Sequence, residues 1–415
     1  MKWEIRPFGE LYATPSRNGL MRPSKERGSG YKMINMGELF AYPIIKNPEM
    51  ERVQVSDIEL PKYRIEKGDL LFARQSLVLE GAGKCSIVAE IEDPTVYESH
   101  LIRVRLNKKL CDPFFYYHFF NSQVGAGFVQ QIVNQVAAAG IRGSDLEKLK
   151  VIYPPLPVQQ KVAAILSAYD DLIENNNKRI TLLEKAAEEI YREWFVRMRF
   201  PGWEQVKLVK GIPEGWDRTP IKNISSEIKG NVKINNIDPN TRYLGLEHLP
   251  RKSIAITSFD TISSVYSDKL LFKEGDILFG KIRPYLHKVA LAHFSGACSS
   301  DTIIIRPKQK EFEGFLLFTV FSETFIELAT VASKGTKMPR ADWDFLKKLD
   351  ILFPPKPILE VFQDKFGTHF EAICKLLSQN ELLKQSRDLL LPRLISGKLS
   401  VEALDIRFPP SMIAQ

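Results

Sequence analysis

Basic and aromatic side chains alternate in one stretch of the chain, and this pattern is typical of contact with nucleic acid. The segment 280–288 reads Gly-Lys-Ile-Arg-Pro-Tyr-Leu-His-Lys and presents Lys281, Arg283, Tyr285 and Lys288. The forked guanidinium of arginine suits the edge of guanine, while lysine and tyrosine suit phosphate oxygens. The segment is therefore predicted to contact DNA.

Further loops of this kind occur in both halves of the chain. The first half carries Arg74 and Gln75 where the second half carries Lys281, and Arg142 is matched with Arg340. Each residue alone is explained equally well as a solvated surface position, but their recurrence in both halves favours the loops as a set. The residues predicted to contact DNA are Arg17, Arg22, Lys25, Arg74, Gln75, Arg142, Lys229, Lys281, Arg283, Tyr285, Lys288, Lys334, Lys337 and Arg340.

The overall composition agrees with an acidic partner. The 415 residues include 58 lysines and arginines against 50 aspartates and glutamates, and the net charge of +8 makes nucleic acid the first candidate. A hydrophobic content of 44% is that of a soluble globular protein. The four cysteines lack metal or disulfide spacing, and neither a signal peptide nor an apolar run of membrane-spanning length is present. A cytoplasmic protein is expected.

The sequence lacks the motifs of an enzyme that acts on DNA. It contains no glycine-rich loop ending in Gly-Lys-Ser or Gly-Lys-Thr, no His-Glu-x-x-His and no Cys/His cluster, so no catalytic residue, cofactor or metal is expected in this chain. The segment 112–115, Asp-Pro-Phe-Phe, has a partial likeness to the Asp/Asn-Pro-Pro-Tyr/Phe site of adenine methyltransferases. Its second proline is missing, so the start of a helix is the better interpretation.

Two long helices are predicted to position the basic loops. From Val162 to Trp194 apolar residues recur at alternating spacings of four and three, the repeat of helices that supercoil around each other. The same pattern recurs from Phe362 to Leu394, and both patterns follow the sequence Pro-Pro-x-Pro. Pro392 lies inside the second pattern, and an interior proline kinks or ends a helix. The last turn of the second helix is therefore not expected to be regular.

The repetition of a domain followed by a long helix predicts an α+β protein with two similar α/β recognition domains. A long antiparallel two-helix coiled coil separates the two domains, and an internal pseudo-twofold relates them. In each domain a Gly-Asp turn leads into an apolar strand, and the segment 63–72 is predicted as strand, turn and strand around Gly68. The predicted segments are a first recognition domain (1–155), a first spacer helix (156–200), a second recognition domain (201–355), a second spacer helix (356–399) and a C-terminal tail (400–415).

Antiparallel packing of the helices is expected because parallel packing would crowd both domains at one end. In one register the apolar seams match, with layers such as Ile180–Leu376, and the two core asparagines, Asn176 and Asn380, meet each other. A slip of one heptad would leave each amide against hydrocarbon, at a cost of about 1–3 kcal/mol per unsatisfied group. Leucines and an isoleucine that lie off the seam predict further helices from a partner: Ile165, Leu172, Leu182, Leu377, Leu382 and Leu389.

Several of these stretches together resemble the specificity (S) subunits of type I restriction–modification systems. The stretches are 244–249, 275–286, 335–340 and 391–399, combined with two domains that each precede a long helix after Pro-Pro-x-Pro. The resemblance covers nearly all of the chain, although the first domain departs from the pattern after Phe72.

This resemblance implies a non-catalytic DNA-binding subunit. Each domain would read one half of a bipartite double-stranded target, and the helices would set the spacing and dock methyltransferase (M) subunits, expected to be two. Restriction (R) subunits would join through the M subunits, and S-adenosylmethionine, ATP and Mg²⁺ would belong to these partners. Two alternatives remain open, a coiled-coil scaffold without a DNA role and a stand-alone DNA-modifying enzyme. Duplex binding in the presence of partners excludes the first, and methyl transfer by the isolated chain would favour the second.

Overall fold

The computed structural model describes residues 3–76, 81–135, 139–264, 267–335 and 338–413. The chain forms two compact units, one of residues 1–174 with 382–415 and the other of residues 175–381. This division passes through both long helices. Each unit therefore combines one globular domain with part of each helix, whereas the sequence pattern sets the helices apart as separate segments. The apolar faces of the helices pack into the domain cores, which explains the difference.

The first unit is built on a five-stranded sheet with the order β2-β10-β6-β8-β4, beside three-stranded sheets β5-β3-β9 and β11-β12-β7 and the pair β1-β13. Its strands are β1 (Glu4–Pro7), β2 (Tyr12–Asn18), β3 (Arg27–Ile34), β4 (Ile44–Lys46), β5 (Glu51–Val53), β6 (Leu70–Ala73), β7 (Gln75–Ser76), β8 (Cys85–Glu90), β9 (Thr95–Tyr97), β10 (Leu101–Leu106), β11 (Asn134–Gln135), β12 (Ala139–Gly140) and β13 (Lys150–Tyr153). Its short helices are α1 (Met36–Ala41), α2 (Leu60–Tyr63), α3 (Pro113–Phe120), α4 (Gln123–Gln130) and α5 (Gly143–Lys148). The first long helix, α6 (Leu156–Tyr191), follows and ends in a π-helical turn, Arg192–Val196.

The second unit contains four-stranded sheets β17-β24-β21-β22 and β19-β18-β23-β20, with the pairs β16-β25 and β14-β15. Its strands are β14 (Leu208–Val209), β15 (Ile212–Pro213), β16 (Asp217–Pro220), β17 (Ser225–Ile228), β18 (Arg242–Leu244), β19 (Asp260–Thr261), β20 (Leu270–Phe272), β21 (Ile277–Gly280), β22 (Val289–Leu291), β23 (Gly296–Cys298), β24 (Thr302–Pro307) and β25 (Asp350–Phe353). Its short helices are α7 (Ile221–Ile224), α8 (Glu313–Phe321), α9 (Glu323–Val331) and α10 (Trp343–Leu346). The second long helix is α11 (Lys356–Ile395), and the tail carries α12 (Pro410–Ile413).

An ion pair recurs at the same place in both units. In the first unit the carboxylate of Asp69, 1% exposed, accepts hydrogen bonds from Nε and Nη2 of Arg105, both at 2.8 Å. In the second unit Asp276, also 1% exposed, accepts from Nε and Nη2 of Arg306 at 2.6 and 2.7 Å. Each carboxylate also accepts a backbone N–H three residues upstream, at 2.7 Å in both units. The repeated sequence thus produces a repeated turn that is fixed by a two-point Arg–Asp contact.

The turn itself differs in part from the sequence-based expectation. Gly68 and Gly275 adopt φ values of +91° and +84°, the left-handed region that glycine enters without steric cost. The residues before the first turn do not form the predicted strand, because α2 occupies 60–63 and only β6 follows the turn. A proline early in α2 is compatible with this helix, since its missing N–H has no intrahelical acceptor there.

An aromatic helix forms the centre of each domain core. All eight residues of α3 are buried, and α8 is buried along its whole length in the second unit. Asp112 caps α3, accepting a hydrogen bond of 3.0 Å from the backbone N–H of Phe115, and burial raises the pKa of this carboxyl to about 6. The interpretation of this segment as a helix start is therefore confirmed.

The long helices run antiparallel within each unit. In the second unit Trp194 packs on Phe362 with ring centroids 5.9 Å apart, and Asn176 donates from Nδ2 to Oδ1 of Asn380 at 3.0 Å. Both amides are buried, with residue exposures of 8% and 4%. Asn380 in turn donates to Oδ1 of Asn177 at 2.9 Å. This is the side-chain pairing that the aligned seams require, and it leaves neither amide without a partner.

Cysteines placed at the asparagine layer test this register. In a chain whose native cysteines are replaced, Asn176→Cys with Asn380→Cys is expected to form an intramolecular disulfide, because the two side chains meet in one layer of the helix pair. Non-reducing electrophoresis and mass spectrometry measure the product. The matched control, Asn176→Cys with Ile373→Cys, lies one heptad away and is expected to stay reduced. Cross-linking of the control in preference to the test pair would contradict the register.

The second helix continues through Pro392 and ends only at Ile395, so the sequence-based doubt about its last turn was wrong. Leu394 and Ile395 are buried in the core of the first unit, and this packing offsets the hydrogen bond that a proline cannot donate. The four cysteines are free thiols. Within the described ranges no single helix is long and apolar enough to cross a membrane, although the bent pair Lys310–Phe321 and Glu323–Val331 meets that test jointly.

Candidate nucleic-acid interface

Three short antiparallel segments at one end of the central sheet form what we call the strand frame. In the first unit it comprises residues 74–76, 134–135 and 139–141. The N–H of Arg74 donates to the carbonyl of His100 at 2.7 Å, and the N–H of Ile141 donates to the carbonyl of Arg74 at 2.9 Å. Gln75 lies opposite Gly140, which in turn lies opposite Asn134. The loop that follows β6 is thereby held between His100 and the central segment of the frame, residues 139–141.

The second unit builds the same frame from residues 281–283, 334 and 339–341. The N–H of Lys281 donates to the carbonyl of Asp301 at 2.8 Å, and the N–H of Ala341 donates to the carbonyl of Lys281 at 2.9 Å. Isolated bridges pair Arg340 with Ile282 on one side and with Lys334 on the other. The main chain is thus arranged alike in the two units, and the side chains that it carries differ.

These hydrogen bonds correct one residue match made from the sequence. Ile141 and Ala341 make equivalent contacts, so Arg340 corresponds to Gly140 and not to Arg142. Arg142 corresponds to Asp342, since both are the N-cap residues of equivalent helices, α5 and α10. Matching by residue type paired Arg142 with Arg340, but the backbone contacts show that these arginines occupy positions two residues apart in the repeated fold. Arg340 therefore lies within the frame of the second unit, whereas Arg142 lies just beyond the frame of the first unit.

Four of the predicted cations in the second unit line one cavity of about 380 Å³: Lys229, Lys281, Lys334 and Arg340. Three carboxylates share the cavity wall: Glu227, Asp342 and Asp344. The Nζ of Lys229 lies 2.9 Å from Glu227, and the Nζ of Lys334 lies 2.6 Å from Asp342. Hydrogen bonds to these carboxylates raise the pKa of both lysines above the usual value. Their side chains are 66% and 81% exposed, so solvent reaches both ammonium groups.

The loop after Lys281 presents two exposed residues and encloses a third. Arg283 has φ +52° and its N–H donates to the carbonyl of Pro339 at 2.7 Å, which fixes the loop against the frame. Tyr285 is 53% exposed. The ammonium of Lys288 donates to the carbonyl of Leu246, and burial lowers the pKa of this lysine. Lys288 is therefore engaged within the unit, unlike Arg283 and Tyr285. Lys337 lies outside the described residues.

The residues of the first unit that are predicted to contact DNA differ in exposure. Arg17 and Lys25 are exposed, as are Gln75 and Arg142. The guanidinium of Arg22 has a side-chain exposure of only 12% and pairs with Glu59 at 2.7 Å and Glu26 at 3.5 Å. Its hydrogen bond lowers the pKa of Glu59 to about 2. The side chain of Arg22 is therefore engaged within the unit by Glu26 and Glu59.

Polar residues beside the frame were missed by reasoning from the sequence. His100 and Asp301 occupy the same place at the start of β10 and β24, with side chains 50% and 34% exposed. Neither is a lysine or an arginine, so a search for those residue types passed over them. The signal that would have found them is a change of residue type at equivalent positions before two matching strands. No group of three His, Cys, Asp or Glu side chains is placed to hold a metal ion in the part of the chain that the structure describes.

Comparison with known proteins agrees with this two-unit arrangement. The model of the family described as the type I restriction modification DNA specificity domain matches residues 2–185 and 213–388. The type I restriction enzyme MjaIX specificity subunit of Methanocaldococcus jannaschii is 27% identical over 348 residues, which are 80% of this chain and 80% of the relative. The putative MjaX specificity subunit of the same organism is 24% identical over 96% of this chain and 94% of its own length.

A solved structure extends the likeness to the fold. The crystal structure of the type I restriction–modification S subunit from M. genitalium has a TM-score of 0.55 at 13% identity, over 95% of this chain and 96% of that one. The family match covers both domains and most of both long helices. The chain therefore belongs to the family of type I restriction–modification DNA specificity proteins.

Proposed function

We propose that the chain is the non-catalytic specificity subunit of a type I restriction–modification complex and that each unit reads one half of a bipartite double-stranded DNA target. The observation that carries the proposal is the strand frame, which recurs with the same backbone hydrogen bonds and different side chains. Two domains that read different DNA sequences need a shared backbone with different side chains. The shared backbone sets how each domain approaches DNA, and the side chains set the base preference.

The exposed cations supply the affinity for the phosphate backbone. Lys229 and Lys334 pair with carboxylates at the surface, where such pairs contribute little, so each ammonium exchanges readily onto a phosphate oxygen. Binding of this kind releases counterions and makes affinity depend on salt.

Replacement of these lysines tests the proposal. In the complex with methyltransferase subunits, Lys229→Gln and Lys334→Gln are each expected to weaken DNA binding for all sequences and to reduce the slope of log K against log salt by about 1. Fluorescence anisotropy over a salt series measures both quantities. Lys310→Gln is the control, since Lys310 is 72% exposed but pairs with Glu313 beside the turn at the other end of β21. Wild-type complex without duplex affinity would refute the function, and unchanged slopes in both variants would refute the placement.

Exposed leucines on the long helices provide the docking surface for the methyltransferase subunits, expected to be two. Leu382 and Leu389 are 63% and 73% exposed, and Leu172 and Leu182 are 53% and 65% exposed. Of the remaining off-seam residues, Leu377 is 7% exposed and Ile165 packs on the first core, so these two serve the chain itself. In this proposal restriction subunits join through the methyltransferase subunits, which bind S-adenosylmethionine, while ATP and Mg²⁺ act in the restriction subunits.

Charged residues at the leucine positions are expected to prevent assembly. Leu182→Glu and Leu389→Glu should each weaken association with the methyltransferase subunit by about 10-fold or more, because truncation of a central apolar contact costs over 1 kcal/mol. Sedimentation velocity of the mixed subunits measures the loss. Val331→Glu is the matched control, since Val331 is 86% exposed but belongs to α9. Equal weakening by the control, or a well-behaved monomer without affinity for the partner, would contradict this docking surface.

A further inference from the structure

Arg340 is a cation of the second strand frame whose backbone is held by neighbouring segments. It lies in the central segment, where its N–H donates to the carbonyl of Lys334 at 2.9 Å and its carbonyl accepts the N–H of Lys334 at 3.0 Å. On the other side it bridges to Ile282. The side chain is nevertheless 52% exposed. Because the backbone of Arg340 is fixed, its side chain has fewer conformations to lose on binding. This lowers the entropic cost of ordering the guanidinium on a ligand.

A carboxylate lies directly beside this guanidinium. Nη2 of Arg340 is 3.5 Å from Oδ1 of Asp301, and Asp301 is itself held because its carbonyl accepts the N–H of Lys281 at 2.8 Å. The neighbouring Lys334 pairs with a different acid, Asp342. Asp301 and Arg340 therefore form an exposed donor–acceptor pair whose two backbones are joined through the frame.

We infer that Arg340 and Asp301 together read one G·C base pair in the half of the target that the second unit binds. This inference rests on the function proposed above. The guanidinium fork donates to O6 and N7 of guanine, and the carboxylate accepts from the N4 amino group of the paired cytosine. Asp301 also positions the fork by its contact with Nη2.

The shape of the guanidinium group makes a base edge a suitable ligand for Arg340. Its fork presents N–H groups that match the two neutral acceptors of the guanine edge, whereas a lysine ammonium is a point charge that suits a phosphate oxygen. Lys334 and Lys229 offer phosphate-binding charge at the same cavity. The second unit therefore separates two tasks. Its lysines contact the DNA phosphate backbone, and the Arg340–Asp301 pair contacts a base pair.

The first unit lacks this pair at the same place. Gly140 corresponds to Arg340 and has no side chain, and His100 corresponds to Asp301. A ring nitrogen of His100 lies 3.4 Å from Glu98. The side chains at these two places therefore differ between the units, which is expected of contacts that read different base pairs. The corresponding base step in the other half-site is thus read by other groups.

Substitution of the arginine separates base reading from charge. In the full complex, Arg340→Gln is expected to abolish the preference for guanine at one base pair of one half-site, by on the order of 10-fold or more, and to favour adenine there. Binding to a library randomised in both half-sites, followed by sequencing, gives the preference at each position. Melting temperature and affinity for the methyltransferase subunits serve as folding controls.

Two further variants test the carboxylate. Asp301→Ala is expected to reduce the same guanine preference while raising affinity for unrelated DNA, a combination that general damage to the fold does not produce. Asp301→Asn keeps an oxygen acceptor for Arg340 and is expected to restore part of the preference. His100→Ala is expected to alter the other half-site and leave this base pair unchanged.

The outcomes distinguish the inference from the function on which it rests. Wild-type complex without any sequence preference would overturn the proposed function and the inference together. Sequence-specific wild-type binding, with Arg340→Gln weakening all sequences equally and lowering the salt slope by about 1, would assign Arg340 to a phosphate and overturn the inference alone. A loss of guanine preference confined to one position, with or without a gain for adenine, supports it.

Discussion

Exchange of the second recognition domain is expected to change one half of the DNA target and to leave the other half unchanged. A chimera would carry the second domain of another family member, joined near Pro201 and Pro354. The expectation follows from separate cores, because the buried residues of the second domain cluster with one another and with the adjoining helix ends. The strand frame of the first unit is built from residues 74–141 and is absent from the exchanged segment.

The structure also specifies what the donor domain must keep. Phe315 of α8 packs on Phe195 with ring centroids 4.9 Å apart, and Trp216 packs on the same ring at 6.1 Å. Both aromatic partners enter with the new domain, so the donor needs large apolar residues at these places to avoid a cavity. Sequencing of methylated bases in a host that carries the chimera gives both half-sites. A change in both halves would show that the two domains do not read independently.

Replacement of Arg306 by leucine is expected to destabilise the second unit by about 3 kcal/mol, the lower end of the range for breaking a buried ion pair. Asp276, which is 1% exposed, would lose its counter-charge, while the 34% exposure of the Arg306 side chain moderates the loss. Denaturant unfolding of the full chain in its complex measures the change. The equivalent Arg105→Leu variant should act on the first unit in the same way, because its partner Asp69 is equally buried.

A double substitution separates the buried charge from other effects. Asp276→Leu combined with Arg306→Leu removes both charges, and the apolar replacement of a buried pair is often nearly neutral. Part of the lost stability should therefore return in the double variant, which still lacks the hydrogen bond from the N–H of Lys273 to Asp276. A loss below about 1 kcal/mol for Arg306→Leu alone would show that the pair behaves like one at the surface.

The helical seams illustrate how much local sequence determined. Regular spacing of apolar residues predicted the existence and length of α6 and α11, since such spacing sets which side of a helix avoids water. Their antiparallel direction was inferred from the position of each helix after its domain, because parallel packing would crowd both domains at one end. Asn176 and Asn380 were sufficient to choose one register because a buried amide needs a polar partner. The repeated Gly-Asp turn likewise followed from residue type, as glycine alone enters the required φ region without strain.

The side chains of the interface were decided by tertiary structure. Asp301 and Arg340 are 39 residues apart in the chain and meet only because the sheet brings β24 beside the frame. Sequence matching placed Arg142 opposite Arg340, whereas the backbone hydrogen bonds place Gly140 there. Likewise the guanidinium of Arg22 forms an ion pair with Glu59, a partner that the sequence around Arg22 does not reveal. The spacing of residues along one helix follows from local geometry, but which loop side chains face each other depends on long-range strand pairing, which residue type alone does not encode.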